Sequence, residues 1–386
     1  PMGSYITGLG LWVQGQSLHQ NSPWNFSFGN EGDVNWNVTH GNMPTPAVLL
    51  DARKTSIVIG LILCLTTYWI VTMLSNWIGG TVAGVFLAVH PLTIYLATIA
   101  VSDMSFTAIV ALSVLAALYL AKRPQWWLAL VLGILLGMGA ALKLSPIFVA
   151  IGLAIVGVAI LAYPIANRIP VLSWLWNRFG AGAKSVQRLG IMLCSLPFTA
   201  GAFFVLSYPY LWPDPIGRTR VLFDFRRAEM ANQSRIWGDQ AISSRIDALH
   251  RTWQMLEDRY SASGHVIAWL GIDWGTSNGQ ERGFDLPFAL VGCLILVAIA
   301  LYYGFRTPHL LALTVMGAQI AIILLGININ FNRYYLPIAF FFAVGLGVGV
   351  GTVWTGLVAL LHRWQRRRSQ PMATEGPPPS PQEIQF

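Results

Sequence analysis

The chain has 386 residues, 55% of them hydrophobic and only 10% charged, with a formal net charge of +8. A soluble globular domain carries about 25% charged residues, so the composition excludes an ordinary soluble fold. Most of the basic residues fall in short connections between apolar runs and in the C-terminal tail, the pattern of cytoplasmic loops in membrane proteins, which excludes the nucleic-acid partner that a basic chain otherwise suggests.

Residues 1–15 form an apolar segment too short to span, and no signal-peptide pattern precedes it. The chain opens on Pro1 rather than Met, which reads as a sequence lacking its true N-terminus. Residues 16–52 are polar and rich in Asn, Gly and Trp, as expected of a loop at the membrane surface. A spanning helix needs about 20 mostly apolar residues and must satisfy its backbone amides internally. Stretches at 55–74, 78–98, 104–121, 125–142, 145–163, 189–207, 286–304, 309–327 and 334–361 meet that requirement, separated by Ser75-Asn76, Arg123-Pro124, Lys143-Leu144-Ser145-Pro146 and similar breaks. The expected fold class is therefore an all-α polytopic membrane protein with about nine crossings. The regions follow: 1–52 as the remainder of an extracytoplasmic loop, 53–207 and 286–361 as transmembrane helices, 208–285 as a large extracytoplasmic loop, and 362–386 as a basic, disordered cytoplasmic tail.

Charge by side agrees with this order. With the 16–52 loop outside, the inner connections hold Lys122 and Arg123, then Arg168, Arg178, Lys184 and Arg188, then Arg306, and finally Arg363, Arg366, Arg367 and Arg368. The short outer connections hold Asp103, Lys143 and Arg333, one charge each. The long 208–285 loop is mixed in charge and exempt from the rule. Within it Ile246, Leu249, Trp253 and Leu256 recur at three- and four-residue steps, with Arg245, Asp247, Arg251 and Glu257 on other faces. That amphipathic helix lies in the headgroup plane or packs on its own loop.

Cys64, Cys194 and Cys293 lie far apart in apolar runs, with neither CxxC nor metal spacing, and read as core residues. Gly345–Gly351 has the look of a phosphate loop, but it sits inside the last crossing, where small residues serve helix packing. HExxH and P-loop motifs are absent from the sequence. A lone intramembrane histidine such as His90 is more often a packing residue than a ligand.

The ionisable residues at outer membrane ends carry the functional reading. Arg53 and Lys54 open the first crossing, Asp103 joins the second and third, Lys143 the fourth and fifth, and Arg333 opens the last. Charges there are costly and face a cavity or a partner; for Arg53 and Lys54, snorkelling is an equal alternative. Lys143 runs against the charge rule, which argues for a role. Gathered around one pocket, Arg and Lys suit an anionic lipid-linked group, Arg as a fork and Lys as a point charge.

At these positions the chain resembles the polyprenyl-phosphate-dependent glycosyltransferases of the GT-C fold, in particular their protein mannosyltransferase-like and lipid A aminoarabinose transferase-like branch. Pro1-Met2-Gly3-Ser4-Tyr5-Ile6 resembles that family's "PPLxxYI" stretch, and Ala52-Arg53-Lys54-Thr55-Ser56 its "ARxxS" helix start. His90-Pro91 through Asp103, with Tyr95 and Ala100 between, is similar to "P…Y…A…D". Gly139-Ala140-Ala141-Leu142-Lys143-Leu144-Ser145-Pro146 resembles "GLAxLTKxxP", and Arg333-Tyr334-Tyr335-Leu336-Pro337 resembles "RYxLP". The likeness covers about residues 1–345, including the Tyr208-Pro209-Tyr210-Leu211-Trp212 exit from a helix.

The resemblance implies inverting transfer of a hexosyl or pentosyl group from a polyprenyl-phosphate donor to a protein, lipid or cell-envelope glycan hydroxyl, on the outer face of a bacterial cytoplasmic membrane. An acid acts as general base in such chemistry, and cations stabilise the departing phosphate. By that likeness Arg53, Lys143 and Arg333 hold donor phosphate, Asp103 is a supporting acid, and His90, Tyr95, Tyr334 and Tyr335 line the pocket. No cofactor is implied with certainty, and a divalent metal is compatible with the chemistry. The family's main acid lies a little before the "PPL" stretch, hence upstream of Pro1; Glu31 and Asp33 share its compartment but not its place. Two other classes compete: a secondary transporter, which places ionisable groups at the midplane on matched broken helices, and a non-enzymatic assembly subunit. Sequons at Asn25, Asn37 and Asn232 fall on the outer side.

Overall fold

The computed structural model describes residues 2–16, 45–180, 182–271, 283 and 285–369. Pro1, Glu31, Asp33, the sequons at Asn25 and Asn37 and the tail from residue 370 onward lie outside the described residues. Among the described residues the chain is helical, with one isolated bridge between Ala241 and Ile329.

The helices, in order, are α1 (Met2–Val13), α2 (Pro46–Leu74), α3 (Trp77–Val89), α4 (Pro91–Thr98), α5 (Ser102–Lys122), α6 (Trp126–Leu142), α7 (Ser145–Leu161), α8 (Tyr163–Ala166), α9 (Pro170–Arg178) and α10 (Lys184–Leu206). An extramembrane group follows: α11 (Pro215–Ile236), α12 (Arg245–Gln254) and α13 (Ala262–Trp269). The bundle then resumes with α14 (Asp285–Tyr303), α15 (His309–Gly326) and α16 (Leu336–Ser369).

Six of these, α2, α5, α10, α14, α15 and α16, are long and apolar enough to cross a membrane, and α3 with α4 meets the same requirement only as a bent pair, a broken span or a re-entrant loop. This is an integral membrane protein. The remaining two expected crossings coincide with α6 and α7, apolar helices of 17 residues each. At 1.5 Å per residue each reaches about 25 Å, short of the ~30 Å hydrocarbon core. The expected 78–98 crossing is not one straight helix. His90-Pro91 splits it, and α3 and α4 meet at 55°. Pro91 cannot continue α3 but suits the first turn of α4, whose Leu92 amide donates to His90 Nδ1 at 3.3 Å.

Local sequence explains most other boundaries. Thr45 caps α2, accepting from the Val48 amide at 3.3 Å ahead of Pro46. Asn76 ends the α2–α3 turn, accepts from the Gly79 amide at 3.0 Å and donates to the Gly351 carbonyl at 2.7 Å. The glycines of the last crossing serve packing: a Cβ on Gly292 would lie 2.0 Å from the Gly345 carbonyl oxygen, and one on Gly79 would lie 2.3 Å from that of Gly347. With no side chain between them, α16 seats directly on α14 and α3.

α5 lies at the centre, packed against α2, α6, α15 and α16, and most of its residues are buried on every side. A helix apolar all round belongs there. Its first turn therefore delivers Asp103 into the middle of one end of the bundle. Ser145 accepts from Gln319 Nε2 at 3.0 Å, and Arg245 donates to the Ile327 carbonyl at 2.9 Å. The starts of α5 and α7 and the end of α15 thus share that end.

The amphipathic segment of the extramembrane group does form a helix, but its buried face is not the expected stripe. Ala248, Thr252, Met255 and Leu256 face the protein, the last two in a π-helical turn that follows α12, while Ile246, Leu249 and Trp253 are exposed. The helix packs on the end of α15 rather than on its own loop, and turns an apolar edge outward.

Candidate active site at one end of the bundle

Lys143 follows the last turn of α6, its amide donating to the Gly139 carbonyl at 2.8 Å. Leu144-Ser145-Pro146 then starts α7, so the lysine is fixed at a sharp interhelical corner. Its ammonium forms an ion pair with Asp103 Oδ1 on α5, a side chain only 5% exposed. The same nitrogen lies 5.1 Å from the centre of the Phe106 ring and 4.9 Å from that of Tyr334, close enough for cation–π attraction. Arg333 stacks against Phe331 and Tyr334 at 5.2 and 5.5 Å. Burial lowers the Lys143 pKa below the usual lysine value; the Asp103 carboxylate opposes that shift, and Arg333 and Arg226 add to it.

Of these groups, Lys143, Phe106 and Tyr334 line a cavity of about 440 Å³, and Asp103 and Arg333 are not among its walls. Its walls include Lys143, Ser145, Asn328 and Tyr334, an apolar side made of Phe106, Phe148, Ile322 and Ile323, and two arginines from α11, Arg226 and Arg227. α11 is started by Asp214, which accepts from the Gly217 amide at 2.9 Å, with Pro215 in the first turn. Both arginines are exposed, and among the described residues no carboxylate pairs with either.

The structure thus gathers Asp103, Lys143, Arg333 and Tyr334. The other expected site residues lie elsewhere. Arg53 is exposed on α2 and is not a wall of the cavity; its neighbour Lys54 pairs with Asp51 at 2.7 Å. His90 is 1% exposed at the α3–α4 bend, with its ring 5.5 Å from that of Phe86. Tyr95 is 47% exposed, outside the cavity walls. Tyr335 is fully buried one residue past the wall, donating to Asn330 Oδ1 at 2.6 Å. Arg226 and Arg227 were not expected: positive-inside counting passes over long translocated loops. Their signal was the Phe225-Arg226-Arg227 run itself. Among the described residues no three His, Cys, Asp or Glu side chains cluster as metal ligands.

Chemically, the cavity offers a lysine held by a buried carboxylate, two exposed guanidinium groups and an apolar flank. That suits a ligand with an anionic head and a hydrocarbon tail.

Two solved structures resemble the chain in outline. One is the Archaeoglobus fulgidus oligosaccharyltransferase tethered to an acceptor peptide containing the NVT sequon. It aligns with TM-score 0.47 and 12% identity, over 95% of this chain and 42% of its own. The other is the archaeal oligosaccharyltransferase AglB from Archaeoglobus fulgidus, in complex with an inhibitory peptide and a dolichol-phosphate. It aligns with TM-score 0.42 and 12% identity, over 96% and 48%. The chain spans less than half the length of either. At these scores the likeness establishes no shared chemistry. No protein family profile and no curated protein matches the sequence.

Proposed function

We propose that the chain belongs to an integral membrane glycosyltransferase that moves a sugar from a polyprenyl-phosphate donor to an acceptor hydroxyl on the extracytoplasmic face, with inversion. The observation that carries this reading is the Asp103–Lys143 pair beside two exposed arginines on a cavity with an apolar flank. Phosphate is recognised by guanidinium forks, and Arg226 and Arg227 supply two. The prenyl chain takes the side of Phe106, Phe148 and Ile322. In the reaction the acceptor oxygen bonds to the anomeric carbon while the bond from that carbon to the phosphate oxygen breaks. The electron pair leaves with the prenyl phosphate, and the hydroxyl proton passes to a carboxylate base. Asp103 supports the acid side of the site by fixing Lys143, and Lys143 with the two arginines offsets the charge that grows on the phosphate. The basic end, with Lys122, Arg306 and the last turns of α16, faces the cytoplasm by the positive-inside rule.

The test is transfer by the full-length protein from a panel of polyprenyl-phosphate sugars to protein, lipid and glycan acceptors, with Lys143→Ala and Asp103→Asn as controls. Transfer from one donor, lost in both variants, is expected. No transfer from any donor, or equal transfer by both variants, overturns the reading.

A further inference from the structure

A second cavity, of about 520 Å³, lies at the opposite end of the bundle, between the end of α5, the start of α10 and the approach to α15. It is separate from the sugar-transfer site and does not depend on that reading. Lys122 and Arg306, from different connections, both line it. Among the described residues no carboxylate pairs with either. Arg306 is held by its stem: it crosses Gly180, where a Cβ would lie 3.1 Å from Arg306 Cγ. That glycine has φ +74°, so a larger residue there is disfavoured both by its backbone and by the arginine.

Hydroxyls and amides complete the lining. Ser185 and Thr307 are wall residues, and the Thr307 hydroxyl is buried with no hydrogen-bond partner among the described residues. An unsatisfied buried hydroxyl costs roughly 1–3 kcal/mol, so it calls for a ligand atom. α10 and α15 both begin here without a side-chain cap, so the positive ends of two helices flank one hollow. Two cations, two hydroxyls and two positive helix ends make a donor-rich set with no carboxylate partner among the described residues. Cations that merely snorkel would point apart into the headgroup layer; these share a cavity.

The geometry points to a phosphate-binding site at this end of the protein, which takes either the headgroup of an anionic phospholipid of that leaflet or free phosphate. The site is tested by native mass spectrometry of the full chain in neutral detergent, titrated separately with phosphatidylglycerol, phosphatidylcholine and inorganic phosphate. Phosphatidylglycerol binding at least tenfold tighter than phosphatidylcholine, reduced at least tenfold by Lys122→Ala with Arg306→Ala, assigns a lipid headgroup. Inorganic phosphate binding with the same dependence assigns a free-phosphate site. Thr307→Val, which leaves charge untouched, weakens the bound species several-fold in either case, and Lys122→Arg retains it. Arg168→Ala, which removes an exposed charge outside the cavity lining, changes nothing. Binding that is insensitive to Lys122, Arg306 and Thr307, or lowered equally by Arg168→Ala, overturns the assignment.

Discussion

Removing Lys143 should destabilise the protein more than removing any exposed charge, because of what it leaves behind. Asp103 is 3% exposed and its ion-pair partner is Lys143. Breaking a buried pair by deleting one member costs about 3–5 kcal/mol. The Lys143 side chain is 26% exposed, so water reaching the cavity softens the loss, and the lower end, about 3 kcal/mol, applies. Ring contacts with Phe106 and Tyr334 add about 0.5–1 kcal/mol each. At 1.4 kcal/mol per tenfold, the resulting loss of about 4–5 kcal/mol means that Lys143→Ala lowers the folded-to-unfolded ratio by roughly three to three and a half powers of ten. Asp103→Asn keeps the shape and leaves an ammonium that can turn to the cavity, at about 1–2 kcal/mol. Replacing both, Lys143→Met with Asp103→Leu, removes the charges together and is neutral or stabilising. Reversible SDS unfolding followed by tryptophan fluorescence reads all three. A cost below about 0.5 kcal/mol for Lys143→Ala, the range of a surface pair, refutes the reasoning. So does a double variant less stable than Lys143→Ala. The double variant, folded but without transfer activity, separates chemistry from stability.

Arg226→Ala with Arg227→Ala should weaken polyprenyl-phosphate binding by tenfold or more, since a charged hydrogen bond contributes about 1.5–3 kcal/mol; stability in the same SDS titration should shift by less than about 0.5 kcal/mol because both side chains are exposed. Asp285→Ala should release the start of α13. That carboxylate accepts from the hydroxyls of Ser261 and Ser263 and from the Ala262 and Ser263 amides, the last two at 3.3 and 3.2 Å. Hydrogen exchange across Ala262–Trp269 should accelerate, and unchanged protection would count against the cap. Gly345→Leu should drive α14 from α16, because a Cβ already falls 2.3 Å from Cys293 Sγ. A cost of at least 1–3 kcal/mol is read by thermal denaturation in detergent, and Gly152→Leu, with open space around its Cβ, is the neutral comparison.

The helices were legible in the sequence because a bilayer imposes one requirement, apolar length, that needs no tertiary information. The end of the bundle that holds Asp103 and Lys143 was legible as well, since alternation of crossings assigns each connection a side. Which charges at that end meet was not. Lys143 already stood apart from Arg53 in sequence, because it runs against the charge rule whereas Arg53 has snorkelling as an equal alternative, yet both were expected at one pocket. The structure separates them because α5 occupies the centre of the bundle and puts Asp103 within reach of Lys143, while Arg53 is exposed on α2. The His90 bend was marked by Pro91, but the angle depends on what packs around α3 and α4. Arg226 and Arg227 could not be assigned from the loop's mixed charge, because their place depends on how α11 folds back over the bundle.

That folding back has a physical cause in the strip from Asn328 to Tyr334. Ile242 donates its amide to the Asn328 carbonyl and Asn330 donates to that of Gln240, both at 2.9 Å, and Arg245 holds the Ile327 carbonyl. Trp237, just past α11, meets Phe331 edge to face at 5.4 Å; Phe331 packs on Tyr334, and Tyr334 lies against Lys143. The extramembrane helices are thus registered to the same residues that wall the cavity. A ligand held by Arg226 and Arg227 is held by a segment indexed to Lys143 through two aromatic contacts. The site is therefore a joint between two layers, with Asp103 and Lys143 fixed by the membrane bundle and the arginines carried by the layer above. An amphiphilic donor, with its chain among membrane helices and its phosphate in the polar layer, is the kind of molecule that such a joint can bind by both ends at once.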